Sequence, residues 1–208
     1  MLIIFDCDGV LRSFCWKAVY ASYIEIARYL NCNPQDFWRD FDEFMKWVDY
    51  IEWSRNLERM GMPFGSDYTE IRRIFHDICD PHIHTFHWVP EILGDLAKRH
   101  NLAVLSASIA SSVNGSLDSV SGYFSHVITS DHVANVKPDP EGIYLIMDMV
   151  GAKSSETLMV GDFWVDIMAG KNAGIQTAGV SWGMTLREDL LKFEPDYMFE
   201  DPHDLKSL

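Results

Sequence analysis

The sequence predicts an α/β doubly wound fold, a parallel sheet with helices on both faces, interrupted by one all-helical insertion. Three observations predict it. Short apolar runs recur along the chain, each ending in small or polar residues. Stretches with helical spacing lie between most of them, the rhythm of strand, turn and helix that builds a parallel sheet. From about Ser13 to Thr85 that rhythm stops and helical spacing takes over.

Leu2 to Phe5 is the first run, apolar at every position, as a strand buried on both faces requires. Leu102–Leu105, His126–Thr129, Leu158–Val160 and Thr177–Val180 are the later ones. Glu91–His100, Ile109–Val120, Glu141–Val150 and Asp166–Asn172 read as the helices between them. Polar residues thereby collect at the carboxyl ends of the strands, where open α/β sheets bind ligands.

Within the insertion, one helix is predicted over Trp16–Leu30. Asn33-Pro34 opens a second, running through Phe37, Phe41, Phe44 and Val48. A third follows Gly65-Ser66, with Ser66 as N-cap and Glu70 nearby. The Trp and Phe stripe between Phe37 and Trp53 reads as the core of this module, with an aromatic dimerisation surface as the alternative.

The chain has 208 residues, enough for one sizeable domain, or one domain with a small inserted module. Apolar residues make up 48% and charged residues 23%, an ordinary globular balance. Seventeen Lys and Arg against 31 Asp and Glu leave a formal charge of -14. That field repels phosphate backbones and anionic membrane surfaces, so neither nucleic acid nor membrane is an expected partner. An enzyme of this charge that handles anions needs local cations, either lysines or a metal.

No apolar run approaches the roughly eighteen residues of a membrane span. The amino terminus has no basic leader before Asp6 and Asp8. Cys7, Cys15, Cys32 and Cys79 show no C-x-x-C spacing, and reduced thiols in a cytoplasmic protein are expected.

Four separated motifs carry the chemistry. Asp6-Cys-Asp8-Gly-Val-Leu11 ends the first strand and puts two carboxylates around one ligand, one able to attack while the other transfers protons. Gly9 allows a sharp turn and a close approach to a phosphate. Ser106 ends the second run, and with Ala107-Ser108 and a following helix it makes an anion site. Lys137, in Val136-Lys-Pro-Asp-Pro140, is held extended by Pro138 and can neutralise a phosphate or a carboxylate. Gly161-Asp-Phe-Trp-Val-Asp166 places Asp162 and Asp166 one helical turn apart, and with Asp6 these hard oxygens suit Mg²⁺. Taken singly, the first three have plain structural alternatives: an acidic turn, an N-cap, a solvated lysine.

In this order, at successive strand ends, the four motifs resemble those of the haloacid dehalogenase superfamily. Asn135-Val-Lys-Pro-Asp-Pro140, Gly161-Asp to Ala173-Gly174, Gly179-Val-Ser-Trp-Gly183 and Pro195-Asp196-Tyr197 resemble its phosphoglycolate phosphatase-like branch. Thr85 to Leu93 resembles the return from an inserted cap.

The resemblance implies a Rossmann-like core of residues 1–12 and 86–208, with a helical cap of residues 13–85. It implies a Mg²⁺-dependent phosphatase that hydrolyses a small phosphorylated metabolite through an aspartyl-phosphate. Asp6 would be the nucleophile, and Asp8 the acid that protonates the leaving oxygen and then the base for water. Ser106 with Ala107, Gly9 and Lys137 would line the phosphoryl group, and Arg12 would reach a second anionic group of the substrate. Mg²⁺ would sit on Asp6, the backbone carbonyl of Asp8 and Asp162, with Asp166 direct or through water. A sugar-phosphate mutase and a catalytically idle partner-binding relative are the alternatives, and the assembly is a monomer or homodimer.

Three further features stand out. His87-Trp88 replaces the Pro-Gly usual at the cap return, and Phe163-Trp164 is bulky for the fourth motif, so both crowd the site and weigh against phosphoglycolate. The histidines His76, His82, His84 and His87 match no standard zinc spacing.

Overall fold

Successive side chains of a strand face opposite sides of the sheet, so a strand apolar at every position needs cover on both faces. The computed structural model describes residues 1–49, 53–63 and 65–208 and shows that cover. Two units divide the chain: Met1–Phe14 with His84–Leu208, and Cys15–Ile83.

Strand β1 (Leu2–Phe5) opens the first unit. Helices α1 (Trp16–Tyr29), α2 (Phe41–Trp47), α3 (Trp53–Arg59) and α4 (Thr69–Cys79) belong to the second. The first then resumes with α5 (Val89–Leu96), β2 (Asn101–Leu105), α6 (Ala110–Leu117), β3 (Phe124–Ile128) and α7 (Glu141–Val150). It closes with β4 (Thr157–Gly161), α8 (Trp164–Ala173), β5 (Gln176–Val180), α9 (Arg187–Leu190) and β6 (Tyr197–Phe199).

The strands lie in the order β3-β2-β1-β4-β5-β6, and every neighbouring pair is parallel. Ile3 and Phe5 of β1, with Leu102, Val104, Leu158 and Val160, pack on Val89, Ile92, Leu93 and Leu96 of α5 and Val113 and Leu117 of α6. Leu2 and Ile4 face the other way, with Ala103, Leu105 and Met159, against Ile143 and Ile146 of α7 and Ala169 and Ala173 of α8. Each buried branched side chain contributes about 1.5–3 kcal/mol to this packing. The α/β doubly wound architecture predicted from the apolar runs is the one observed.

Several boundaries differ from expectation. Helix α6 starts at Ala110, whose N–H donates to Asp131 Oδ2 at 2.6 Å, so Ser106 lies well before its first turn. Helix α7 has the predicted bounds, Glu141–Val150, with Pro140 at its N-cap. In the second unit the helix expected after Asn33-Pro34 splits into a 3-10 turn over Pro34–Asp36 and α2. Asp40 causes the break, because its carboxylate accepts the Glu43 N–H at 2.9 Å and starts a new helix. Ser66 does not cap α4; its hydroxyl donates to Pro63 O at 2.5 Å, and Asp67 accepts the Thr69 N–H at 2.9 Å.

Among the described residues this unit holds helices and no strand. Trp38 and Phe44 are buried in it, with ring centroids 5.2 Å apart, and Trp47 lies 4.6 Å from Trp38, so the stripe forms its core. The side chain of Trp53 lies outside the described set. No helix among the described residues is long and apolar enough to cross a membrane.

Candidate active site

The order of the sheet reverses around β1, and an open α/β sheet forms its ligand crevice at such a reversal. Phe5 pairs with Val104 on one side and Val160 on the other. The Asp6 N–H extends the ladder by one bond, donating to Val160 O at 2.8 Å. Asp6 and Asp162 therefore emerge side by side from neighbouring strand tips. Across β1, the Ser106 N–H donates to Ile128 O at 2.9 Å and brings the second motif to the same edge.

Lys137 completes the group from the loop before α7. Its ammonium donates to Asp6 Oδ1 at 2.7 Å and to Asp166 Oδ1 at 2.6 Å. The other Asp166 oxygen accepts the Phe163 N–H at 3.0 Å at the start of α8. Glu141 secures the lysine loop by accepting the N–H groups of Ala134 and Asn135, at 2.8 and 2.9 Å. Those backbone bonds hold the Glu141 carboxyl below its ordinary range.

Asp162 is built in differently. Its Oδ2 accepts the Met184 N–H at 2.6 Å, while its Oδ1 is buried without a hydrogen-bond partner. A Cβ on Gly9 or on Gly183 would run into this carboxylate. Gly9 also has φ 78°, a conformation that disfavours a side chain. The glycine expected to make room for phosphate thus also makes room for Asp162.

One oxygen from each of Asp6, Asp162 and Asp166 lies within 4.8 Å of the others. Among the described residues this is the one such grouping, so the four histidines build no comparable set. Three buried carboxylates against one ammonium are electrostatically costly. Burial pushes the Asp6 carboxyl up to about 7, helped by Asp166 and Asp8 and opposed by Lys137. Burial likewise pushes Asp162 well above the carboxylate range, with Asp6 and Asp166 adding to the effect. For Lys137 burial disfavours the charged form, but Asp166 and Asp6 outweigh it and hold the ammonium above its usual range. A bare, buried carboxylate oxygen in an excess of negative charge fits a hard divalent cation.

Asp8 sits apart from that trio. The Arg12 guanidinium clasps it, Nε donating to Oδ1 at 2.8 Å and Nη2 to Oδ2 at 3.1 Å. Ser108 Oγ donates to the same Oδ2 at 2.8 Å. The expected reach of Arg12 to substrate is corrected here: the side chain is 1% exposed, and its remaining nitrogen is spent on α6. Ser106 is buried, its hydroxyl accepting the Ser108 N–H at 3.1 Å, and Ala107 beside it is exposed.

Trp88 and Trp164 each pack on neighbouring rings. Trp88 stacks on Phe86 at 5.4 Å and meets Trp182 edge-on at 5.7 Å, and Trp164 stacks on Phe193 at 5.9 Å. Sequence reasoning gave no role to Glu141, Gly183 or the Met184 N–H, and placed Ser108 only beside Ser106 in the anion site. Nothing local ties Ser108 to Asp8, which it meets across 100 residues.

The family model for haloacid dehalogenase-like hydrolases matches residues 3–180. The chain belongs to this family. Pyrophosphatase PpaX of Bacillus velezensis is 38% identical to it over 208 residues, covering 98% of this chain and 93% of the relative. A haloacid dehalogenase-superfamily hydrolase of subfamily IA from Geobacter sulfurreducens has a solved structure that is 25% identical, with a TM-score of 0.70, covering 99% of this chain and 94% of that one. A haloacid dehalogenase-like hydrolase from Bacteroides fragilis superposes with a TM-score of 0.79 at 20% identity, covering 95% of each chain. The resemblance read from the four motifs is confirmed. The chain is a hydrolase that acts on phosphate esters, on a Rossmann-like core.

Proposed function

We propose that this hydrolase is a Mg²⁺-dependent phosphatase acting on a small phosphorylated molecule in two displacements at Asp6. One observation carries the reading: Asp6 is held by Lys137 inside an acidic trio in which Asp162 keeps a bare buried oxygen.

In the first displacement an Asp6 oxygen bonds to phosphorus as the bond to the leaving oxygen breaks. Asp8 gives that oxygen its proton. In the second, Asp8 takes a proton from water, the new hydroxyl bonds to phosphorus, and the bond to Asp6 breaks to release phosphate. Lys137 neutralises Asp6 and, with the Ser106 hydroxyl, Ala107 and Gly9, holds the phosphoryl oxygens. Asp6, Asp162 and the Asp8 carbonyl would hold Mg²⁺, with Asp166, whose oxygens already serve Lys137 and Phe163, direct or through water. The ion supplies positive charge that lets a carboxylate approach an anionic phosphate. The helical unit, Cys15–Ile83, corresponds to the inserted cap that the family resemblance implies. Four free cysteines suit a cytoplasmic setting.

The name of the Bacillus velezensis relative puts inorganic pyrophosphate first on the substrate panel, followed by phosphate monoesters. The test is phosphate release across that panel, with Mg²⁺ and after chelation. Asp6→Asn should abolish turnover and leave the fold intact; turnover that survives it overturns the mechanism.

A further inference from the structure

We propose that Arg12 is the positioning residue for Asp8, fixing the proton-transferring carboxylate against helix α6. The inference rests on the reading of Asp8 as acid and base.

The clasp is a two-point fork, which sets the plane of the carboxylate as well as its distance. The third guanidinium nitrogen, Nη1, donates to Ser112 O at 2.8 Å, Ser116 Oγ at 2.7 Å and Ser112 Oγ at 3.2 Å. Ser116 is itself tied into its helix through Ser112 O and Val113 O, at 3.1 and 3.0 Å. The backbone closes the same loop, with Arg12 N–H donating to Cys7 O at 3.1 Å and Gly9 N–H to Arg12 O at 2.9 Å. A surface ion pair one helical turn apart in sequence would do little, but this guanidinium is 1% exposed and fully engaged. The Asp8 side chain has two free torsions, and the fork with Ser108 removes both.

Proton transfer needs Asp8 within hydrogen-bond reach of the leaving oxygen, so losing the clasp costs rate where that proton matters. A poor leaving group needs the proton; p-nitrophenolate does not. Arg12→Gln should therefore lower kcat on an alkyl phosphate by about 100-fold with KM nearly unchanged. The p-nitrophenol burst from p-nitrophenyl phosphate should fall far less. Arg12→Lys keeps the charge without the fork and should stay impaired. In an Asp8→Asn background, Arg12→Gln should add almost nothing, because both changes remove one function.

An equal loss on both substrates, full rescue by lysine, or a second full loss in the Asp8→Asn background overturns the proposal. If Arg12→Gln does not fold, Ser116→Ala removes one of the three bonds that anchor Nη1 and keeps the fork. It should show the same leaving-group selectivity at smaller amplitude, and a loss without selectivity overturns the proposal equally. Asp6→Asn separates the two claims. Turnover in that variant removes the underlying mechanism, whereas a silent Asp6→Asn with an unselective Arg12→Gln removes only the role of Arg12.

Discussion

Lys137 Nζ lies 2.7 Å from Asp6 and 2.6 Å from Asp166, so one buried ammonium joins carboxylates that follow β1 and open α8. Both acids and the lysine are inaccessible to solvent or nearly so. Such a pair contributes little net stability as a whole, yet removing one partner strands the other.

Removing the lysine should therefore be severe. Lys137→Met leaves Asp6 and Asp166 facing each other and should cost about 3–5 kcal/mol of stability. Urea unfolding at neutral pH measures it. A loss below about 1 kcal/mol would mean that solvent already compensates the pair.

The carboxylates set a pH dependence whose sign is fixed. Asp6 is raised from an ordinary 3.8 to about 7, so the folded state holds its proton more tightly than the unfolded chain. Its contribution is present in full below about pH 4 and is lost as pH rises towards about 7. Asp162, raised for the same reason, acts in the same direction. Chelated protein should lose stability over that interval, and Mg²⁺ should raise Tm more at pH 8 than at pH 5. Equal gains at both pH values would place the ion away from these acids.

Gly183 controls the seat of Asp162. Gly183→Ala puts a methyl group where the carboxylate stands and should weaken Mg²⁺ binding about 10- to 100-fold, as loss of a supporting contact does at metal sites. Calorimetric titration reads this without any turnover. Unchanged affinity would show that Asp162 is not a ligand.

Ile4 of β1 is fully buried on the face covered by α7 and α8. Ile4→Ala should cost about 2–5 kcal/mol, whereas Asp40→Ala, which removes only the cap of α2, should cost about 1 kcal/mol. Denaturant midpoints compare the two. Similar losses would mean that the central strand repacks.

Much of this was readable in the linear chain. The apolar runs announced β1, β2 and β4, because burial on both faces keeps most positions of a central strand apolar. The edge strands were less clear: β3 begins at Phe124, two residues before its apolar signal, where partial exposure relaxes the pattern. Asp40 and Asp67 were passed over as local caps, because a short carboxylate that competes with the helix ladder leaves the apolar spacing around it unchanged.

Asp6, Ser106 and Asp162 could be named in order, because each follows directly from its own apolar run, whereas Lys137 was marked by the prolines beside it. Their partners could not be named. Arg12 meets Ser116 across 104 residues, and Asp162 receives its hydrogen bond from Met184 across 22. Periodicity and turn chemistry are written in near neighbours. Which charge faces which depends on a strand order that sets β1 between β2 and β4, and on the loops that order brings to one edge.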